Sequence, residues 1–288
     1  MIGGKMWADA DQPTEKWGLS ATTVEGKIPM RLTSRLFVAA AAIIAATGFA
    51  AAKDWTEVRI GTDATYPPFE SQDASGAIVG FDVEIGNALC EELKIKCVFS
   101  NEAWDGIIPA LNAGKIDAIL SSMSITAERL EQIDFTTKVY NTPPAMAVPK
   151  DSALTSVDPA GFAGKTIGVQ VSTTHATYAE KIYAGAEVKA YPTADEYKLD
   201  LASGRIDAAM DDIVVLSDWL ATPDGACCKL LGALKNIPEI NGQGAGIGIR
   251  KADTDLKEMF NKALIAIRAN GKYKTINDKY FKFDAYGE

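Results

Sequence analysis

Side chains able to hold a small charged molecule fall at four places in the chain. These are Asp63, Ser121-Ser122 with Arg129 just downstream, Ser172-Thr173-Thr174, and Asp211-Asp212. Arginine grips a carboxylate through two parallel hydrogen bonds. A carboxylate such as Asp212 accepts from an ammonium, and hydroxyls with backbone amides complete the shell. The set suits a zwitterion. Each charge-assisted bond contributes about 1.5–3 kcal/mol net. Three or four of them, less the cost of immobilising a ligand, are compatible with micromolar or tighter binding. Bond-breaking finds less support. His175 is the single histidine, so neither a Ser-His-Asp triad nor a multi-histidine metal centre has the parts it needs. No metal and no cofactor are expected.

Side chains so far apart in sequence meet only if the fold gathers them, and an internal repeat indicates how. Residues 97–122 align without a gap on residues 187–212, with identities that include Leu111/Leu201, Gly114/Gly204, Ile116/Ile206, Asp117/Asp207 and Ala118/Ala208. Each block reads as strand, helix, glycine C-cap and short strand. Arg59–Asp63 and Lys165–Gln170 read as the first strands of the two copies. The expected fold class is therefore α/β, with two similar α/β lobes joined by a two-strand hinge. Lobe one takes residues 53–141 and 243–288, and lobe two takes 142–242. The hinge segments read as Tyr140–Pro144, stiffened by prolines, and glycine-rich Asn241–Gly246. The latter lacks the Gly-x-Gly-x-x-Gly pattern, so a dinucleotide reading fails. In open α/β sheets ligands bind beyond the carboxyl ends of strands, which is where the four clusters lie.

Composition narrows the class. The 288 residues are 47% apolar and 23% charged, as in a soluble globular protein. Acidic residues outnumber basic ones 38 to 29, a net charge of −9 that disfavours a nucleic-acid partner. Residues 1–29 look irregular and read as a non-native extension, with Met30 a plausible start. Arg31 and Arg35, the apolar run Leu36–Phe49 and Ala50-Ala51-Ala52 have the layout of a cleaved secretory signal peptide over residues 30–52. Export is thus expected, leaving about 236 residues with 24 basic and 34 acidic side chains. In an oxidising compartment Cys90, at the end of a helical pattern, and Cys97, opening the next strand, form a credible local disulfide. Adjacent Cys227 and Cys228 read either as a vicinal bridge or as a pair of thiols.

The motifs Ile60–Phe69, Gly80–Glu84, Trp104–Pro109, Ile116–Thr126 with Arg129, Ile133–Thr136, Gly246–Arg250 and Lys279-Tyr280-Phe281 follow one another over nearly the whole mature chain. In that order they resemble the periplasmic amino-acid-binding proteins of ABC importers, the family of the lysine/arginine/ornithine- and histidine-binding proteins. The Cys90/Cys97 spacing matches that group too. The resemblance implies a type II periplasmic-binding-protein fold and a free amino acid as ligand. It also implies a membrane permease/ATPase complex as partner, a periplasmic location and a monomeric state. By the same resemblance Arg129 would hold the α-carboxylate with Ser124 and Thr174, and Asp212 with Ser122 would take the α-ammonium. Asp63, with Ser121, would meet a polar or cationic side chain. Tyr66 and Trp104 would sandwich its stem, and Gln170 would line the opposite lobe. Two departures affect the pocket shape: the basic-amino-acid binders usually carry phenylalanine at the position of Trp104, and a Gly-Ser-Thr-type turn where Ser172–His175 stands.

Bland readings stand beside these roles. Arg129 at a helix start could be a surface residue. Asp212 could cap the apolar stretch Ile213–Leu216, Asp63 could serve a turn, and Trp104 could be core. His175 reads as solvated or set behind the ligand contacts. The expected activity is capture of arginine, lysine, ornithine or histidine, with glutamine or an opine-type conjugate as alternatives. A rival is an enzyme on the same fold that resembles the cyclohexadienyl dehydratases, with Glu70 or Glu102 as general acid. A receptor sensor domain is disfavoured, since no apolar span follows residue 52.

Overall fold

Two five-stranded sheets organise the computed structural model, which describes residues 53–287. The expected extension and signal peptide lie outside the described residues. The first sheet contains β1 (Glu57–Thr62), β5 (Lys96–Asn101), β6 (Ala118–Ile119), β7 (Asp134–Tyr140) and β13 (Ala245–Ile249), in the order β5-β1-β6-β13-β7. The second contains β8 (Pro144–Pro149), β9 (Thr166–Gln170), β10 (Glu187–Tyr191), β11 (Ala208–Asp212) and β12 (Cys228–Ala233), in the order β10-β9-β11-β8-β12. Both follow one pattern, with the opening strand of the repeat second in order and an antiparallel fourth strand. A small sheet of β2 (Thr65–Tyr66), β3 (Glu70–Gln72) and β4 (Ile78–Val79) flanks the first. The chain leaves the first sheet after Tyr140, enters the second at Pro144, and is back in the first at Ala245.

The repeat works through two shared devices. Asp117, just before β6, accepts from the Arg59 backbone N–H at 3.2 Å and forms an ion pair with the Arg59 side chain at 2.8 Å. Asp207, just before β11, accepts from Thr166 N–H at 2.9 Å and pairs with Lys165 at 2.9 Å. Each aspartate thus ties the start of the third strand to the start of the first. The second device is a glycine in each first strand. A Cβ on Gly61 would collide with Cδ1 of Ile116, and one on Gly168 with Cδ1 of Ile206. The matched isoleucines therefore seat directly on the sheet, which is why the first strands need glycine there.

Helices close both faces of the first sheet. In α1 (Phe81–Leu93), Phe81, Ile85, Ala88 and Leu89 turn inward, and α1 packs on the helix Thr254–Ala269. That helix buries Leu256, Phe260, Ala263, Leu264 and Ile267, the 3- and 4-residue spacing of a single buried stripe. Cys90 of α1 and Cys97 of β5 are joined by a disulfide. Cys227 and Cys228, left open by the sequence, are also bonded to each other, at the start of β12.

Asp117 also accepts from Arg250 at 2.9 Å, and these guanidinium bonds hold its carboxyl well below the ordinary range despite burial. A lowered folded-state value means stability that is complete above pH 4 and is lost as pH falls below it. Asp117→Asn is expected to cost about 2 kcal/mol in urea unfolding at pH 7, and to shrink the acid-induced loss. The more exposed Asp207→Asn should cost less; an equal cost would contradict this account of the tether.

Candidate functional site

The carboxyl ends of the strands face a cleft between the two sheets, and their loops carry the polar side chains into it. Asp63 follows β1 directly. Its N–H donates to Ser121 Oγ at 2.8 Å, while its carboxylate accepts from Thr65 Oγ1 at 2.9 Å and from Gln170 Nε2 at 2.7 Å. Gln170 ends β9, so this last bond crosses the cleft. Ser121-Ser122 follows β6 and Ser172 follows β9. Both Ser122 (φ 51°) and Ser172 (φ 57°) sit in the left-handed region that side chains seldom adopt. Each bends its loop sharply at the strand end.

Arg129 enters from the short helix Ala127–Gln132, whose N-cap Thr126 accepts from Arg129 N–H at 3.3 Å. Nη1 donates to Ser124 O at 2.9 Å and Nη2 to Ser172 O at 3.1 Å, one carbonyl from each side of the cleft. The guanidinium lies 5.2 Å from the Trp104 ring centre, and Trp104 Nε1 donates to Ser172 O at 3.3 Å. Arg129 is 8% exposed, and among the described residues no carboxylate pairs with it. Burial pushes it down to about 10, so it keeps its charge at neutral pH.

Asp212 is both a cleft residue and a helix cap. Its Oδ1 accepts from Val214 N–H at 2.7 Å and starts the helix Ile213–Leu220, and its Oδ2 accepts from Thr142 in the hinge segment. Burial pushes this carboxyl up to about 7. Asp63 is raised for the same reason, with Gln170 and Thr65 opposing the shift. Among the described residues both carboxylates accept only from neutral donors.

Asp63, Tyr66, Trp104, Ser121, Ser122, Ser124, Arg129, Gln170 and Thr174 line one cavity. Asp212 lines an adjoining one that shares Tyr66, Ser122, Ser124 and Thr174. Glu70, Thr173 and His175 also line the main cavity. Glu102, the other candidate acid, lies outside it and accepts from Ser100 Oγ at 2.9 Å. Of the two sequence readings of His175, solvated or set behind the ligand contacts, the structure excludes the first. Its Nδ1 lies 3.3 Å from Asp211 Oδ1, and Asp211 also accepts from Tyr66 OH and Tyr197 OH. The side chain is thereby drawn into the cavity wall rather than into solvent. Only the tertiary position of Asp211 signals this. Tyr66 also has a second role, because its hydroxyl bonds the small first-lobe sheet to β11 across the cleft.

Burial lowers the His175 pKa below 6.5, with Arg129 adding to the effect and Asp211 opposing it. A base lowered in the folded state contributes stability that is complete above 6.5 and is lost as pH falls below it. With one histidine in the chain, its proton resonances are unambiguous. An NMR titration midpoint below 6.5 is expected, and Asp211→Asn should lower it further. A midpoint at or above 6.5 would contradict the buried placement.

Comparisons with known proteins agree with this architecture. Residues 58–283 match the family model of bacterial extracellular solute-binding proteins, family 3. An L-arginine-binding protein of Pseudomonas aeruginosa is 46% identical over 90% of this chain and 99% of its own length. A histidine-binding periplasmic protein of Salmonella typhimurium is 42% identical over 80% of this chain and 90% of its own. The solved structure of an ancestral arginine-binding protein bound to arginine superposes with a TM-score of 0.72. It is 35% identical and covers 78% of this chain and 98% of its own. With mixed α/β sheets in paired arrangement and a family match across most of its length, the chain belongs to the bacterial extracellular solute-binding proteins, family 3.

Proposed function

We propose that the protein captures a cationic amino acid between its two lobes in the periplasm and delivers it to the membrane subunits of an ABC importer. One observation carries the reading: Arg129 is a buried cation without an anionic partner among the described residues, in one cavity with buried Asp63 and next to the cavity that buried Asp212 lines, and neither carboxylate has a cationic partner there. Unpaired buried charges are costly, so their natural complement is a ligand of reciprocal charge. An α-carboxylate answers Arg129, an α-ammonium answers Asp212, and a distal cation answers Asp63. Tyr66 and Trp104 supply ring faces to the stem between them. The matched relatives, named for arginine and histidine binding, support this choice of ligand class.

The ligand bridges groups from both lobes only when these are together, so binding favours the closed arrangement. The importer would read closure. The site is built to hold, with its one imidazole turned toward Asp211.

Calorimetry with arginine, lysine, histidine and glutamine tests the reading. Arg129→Ala is expected to weaken arginine binding by more than about tenfold, the loss of one charge-assisted pair. Wild-type affinity in that variant would overturn the assignment. Asp63→Asn should cost more for arginine than for glutamine, and an equal loss would refute a cationic side chain at Asp63. Because Asp212 titrates at about 7 and must be ionised to meet an ammonium, arginine affinity should rise from pH 5.5 to 7.5. Asp212→Asn should bind more weakly and flatten that rise.

A further inference from the structure

At the cavity wall, which Glu70 lines and Asp82 backs, lies a pair of acids that ligand contact alone does not explain. Glu70 of β3 is 1% exposed and Asp82 of α1 is fully buried. Their carboxyls are within hydrogen-bonding reach of each other. The inner oxygens are occupied. Glu70 Oε1 accepts from Ser121 Oγ at 3.1 Å, and Asp82 Oδ2 accepts from Ser122 N–H at 2.9 Å and from Tyr140 OH at 3.1 Å. The outer oxygens, Glu70 Oε2 and Asp82 Oδ1, have no donor. Two buried acceptors without a donor, on acids in contact, are resolved by one proton placed between them.

We propose that Glu70 and Asp82 share a single proton at neutral pH and that the resulting acid pair is the positioning element of the binding site, clamping the Ser121-Ser122 turn. With Oε2–H of Glu70 donating to Oδ1 of Asp82, both orphan oxygens are satisfied at once. The clamp acts on groups that face the ligand. Ser121 Oγ, donating to Glu70, accepts from Asp63 N–H and so fixes the backbone of that carboxylate. Ser122, held by Asp82, is kept in its left-handed conformation, where a side chain needs an external tie. The groups acting most strongly on the pair are acids, hydroxyls and one backbone amide: Asp63 and Ser121 on Glu70, the Ser122 N–H and Tyr140 on Asp82, with Tyr273 also within the field of Asp82. No cation is among them, so the proton has no substitute there. Burial and mutual repulsion raise Glu70 well above the ordinary glutamate range, in keeping with that placement.

Carboxyl-carbon NMR on protein labelled at glutamate Cδ tests the proton directly. At pH 7 one glutamate should resonate as a protonated acid, and that signal should be missing in Glu70→Gln. In Asp82→Asn the amide can donate to Glu70, so the signal should move to the ionised position. The clamp is tested by calorimetry with arginine, an arm that rests on the amino-acid-binding reading above. Glu70→Ala should lose about tenfold or more in affinity, and Glu70→Gln, which keeps a donor toward Asp82, should recover to within about threefold of wild type. A wild-type spectrum without a protonated glutamate at pH 7 would overturn the shared proton. Equal affinity of Glu70→Ala and wild type, or no recovery in Glu70→Gln, would overturn the clamp. If wild type itself fails to bind any amino acid, the ligand reading fails while the spectroscopic arm still decides the pair.

Discussion

A guanidinium withdrawn from water with no carboxylate beside it sets the terms for the rest of the cleft. The desolvation of a buried ion costs several kcal/mol, and neutral carbonyls offset only part of it. Arg129 receives two such carbonyls, Ser124 O and Ser172 O, from opposite sides of the cleft. The charge is therefore held where the sheets approach, and the approach itself desolvates it. An anion arriving from solvent removes the penalty and stabilises the closed arrangement at the same time. Binding and closure draw on one interaction, which is how a small ligand can move two lobes.

The duplication places this charge without specifying it. Asp117 and Asp207 tether equivalent strands in the same way, and Ile116 and Ile206 press on equivalent glycines, so the strand ends of both sheets present their loops in the same sense. What differs is the chemistry at those ends. The first sheet ends in Asp63 and the hydroxyl pair Ser121-Ser122, the second in Gln170 and the acid pair Asp211-Asp212. Repetition supplies the frame. Asymmetry supplies a site with distinct ends, which an amino acid with its three different groups requires.

Much of this was legible in the sequence, because the repeat is a matter of spacing and the strand-end residues are local to their strands. The helix-ending glycines Gly114 and Gly204 and the helix cap at Asp212 are local too. His175 and the full role of Glu70 were not legible, for a common physical reason. Asp211 gathers Tyr66, His175 and Tyr197 from three separate segments, and Glu70 meets Asp82 and Ser121 from two others. A buried polar cluster has no periodicity, and nothing in the spacing of its members marks them as neighbours. The state of Cys227 and Cys228 was equally closed to sequence reasoning, since adjacency allows both a bond and a pair of thiols.

The proposed preference for a cationic side chain has its physical basis in what already occupies Asp63. Its carboxylate accepts from the Gln170 amide at 2.7 Å and from Thr65, both neutral donors. A neutral ligand amide arriving there exchanges one neutral donor for another and gains little. A guanidinium or ammonium brings a charge-assisted bond, roughly twice as strong as the neutral one it displaces. Its charge also opposes the effect of burial that raises the Asp63 pKa. Gln170 thus sets a threshold for the proposed ligand: one that cannot exceed an amide as a donor to Asp63 has no advantage over it. On that proposal, selectivity for charge would arise from the neutral bond the ligand must displace as much as from the carboxylate it meets.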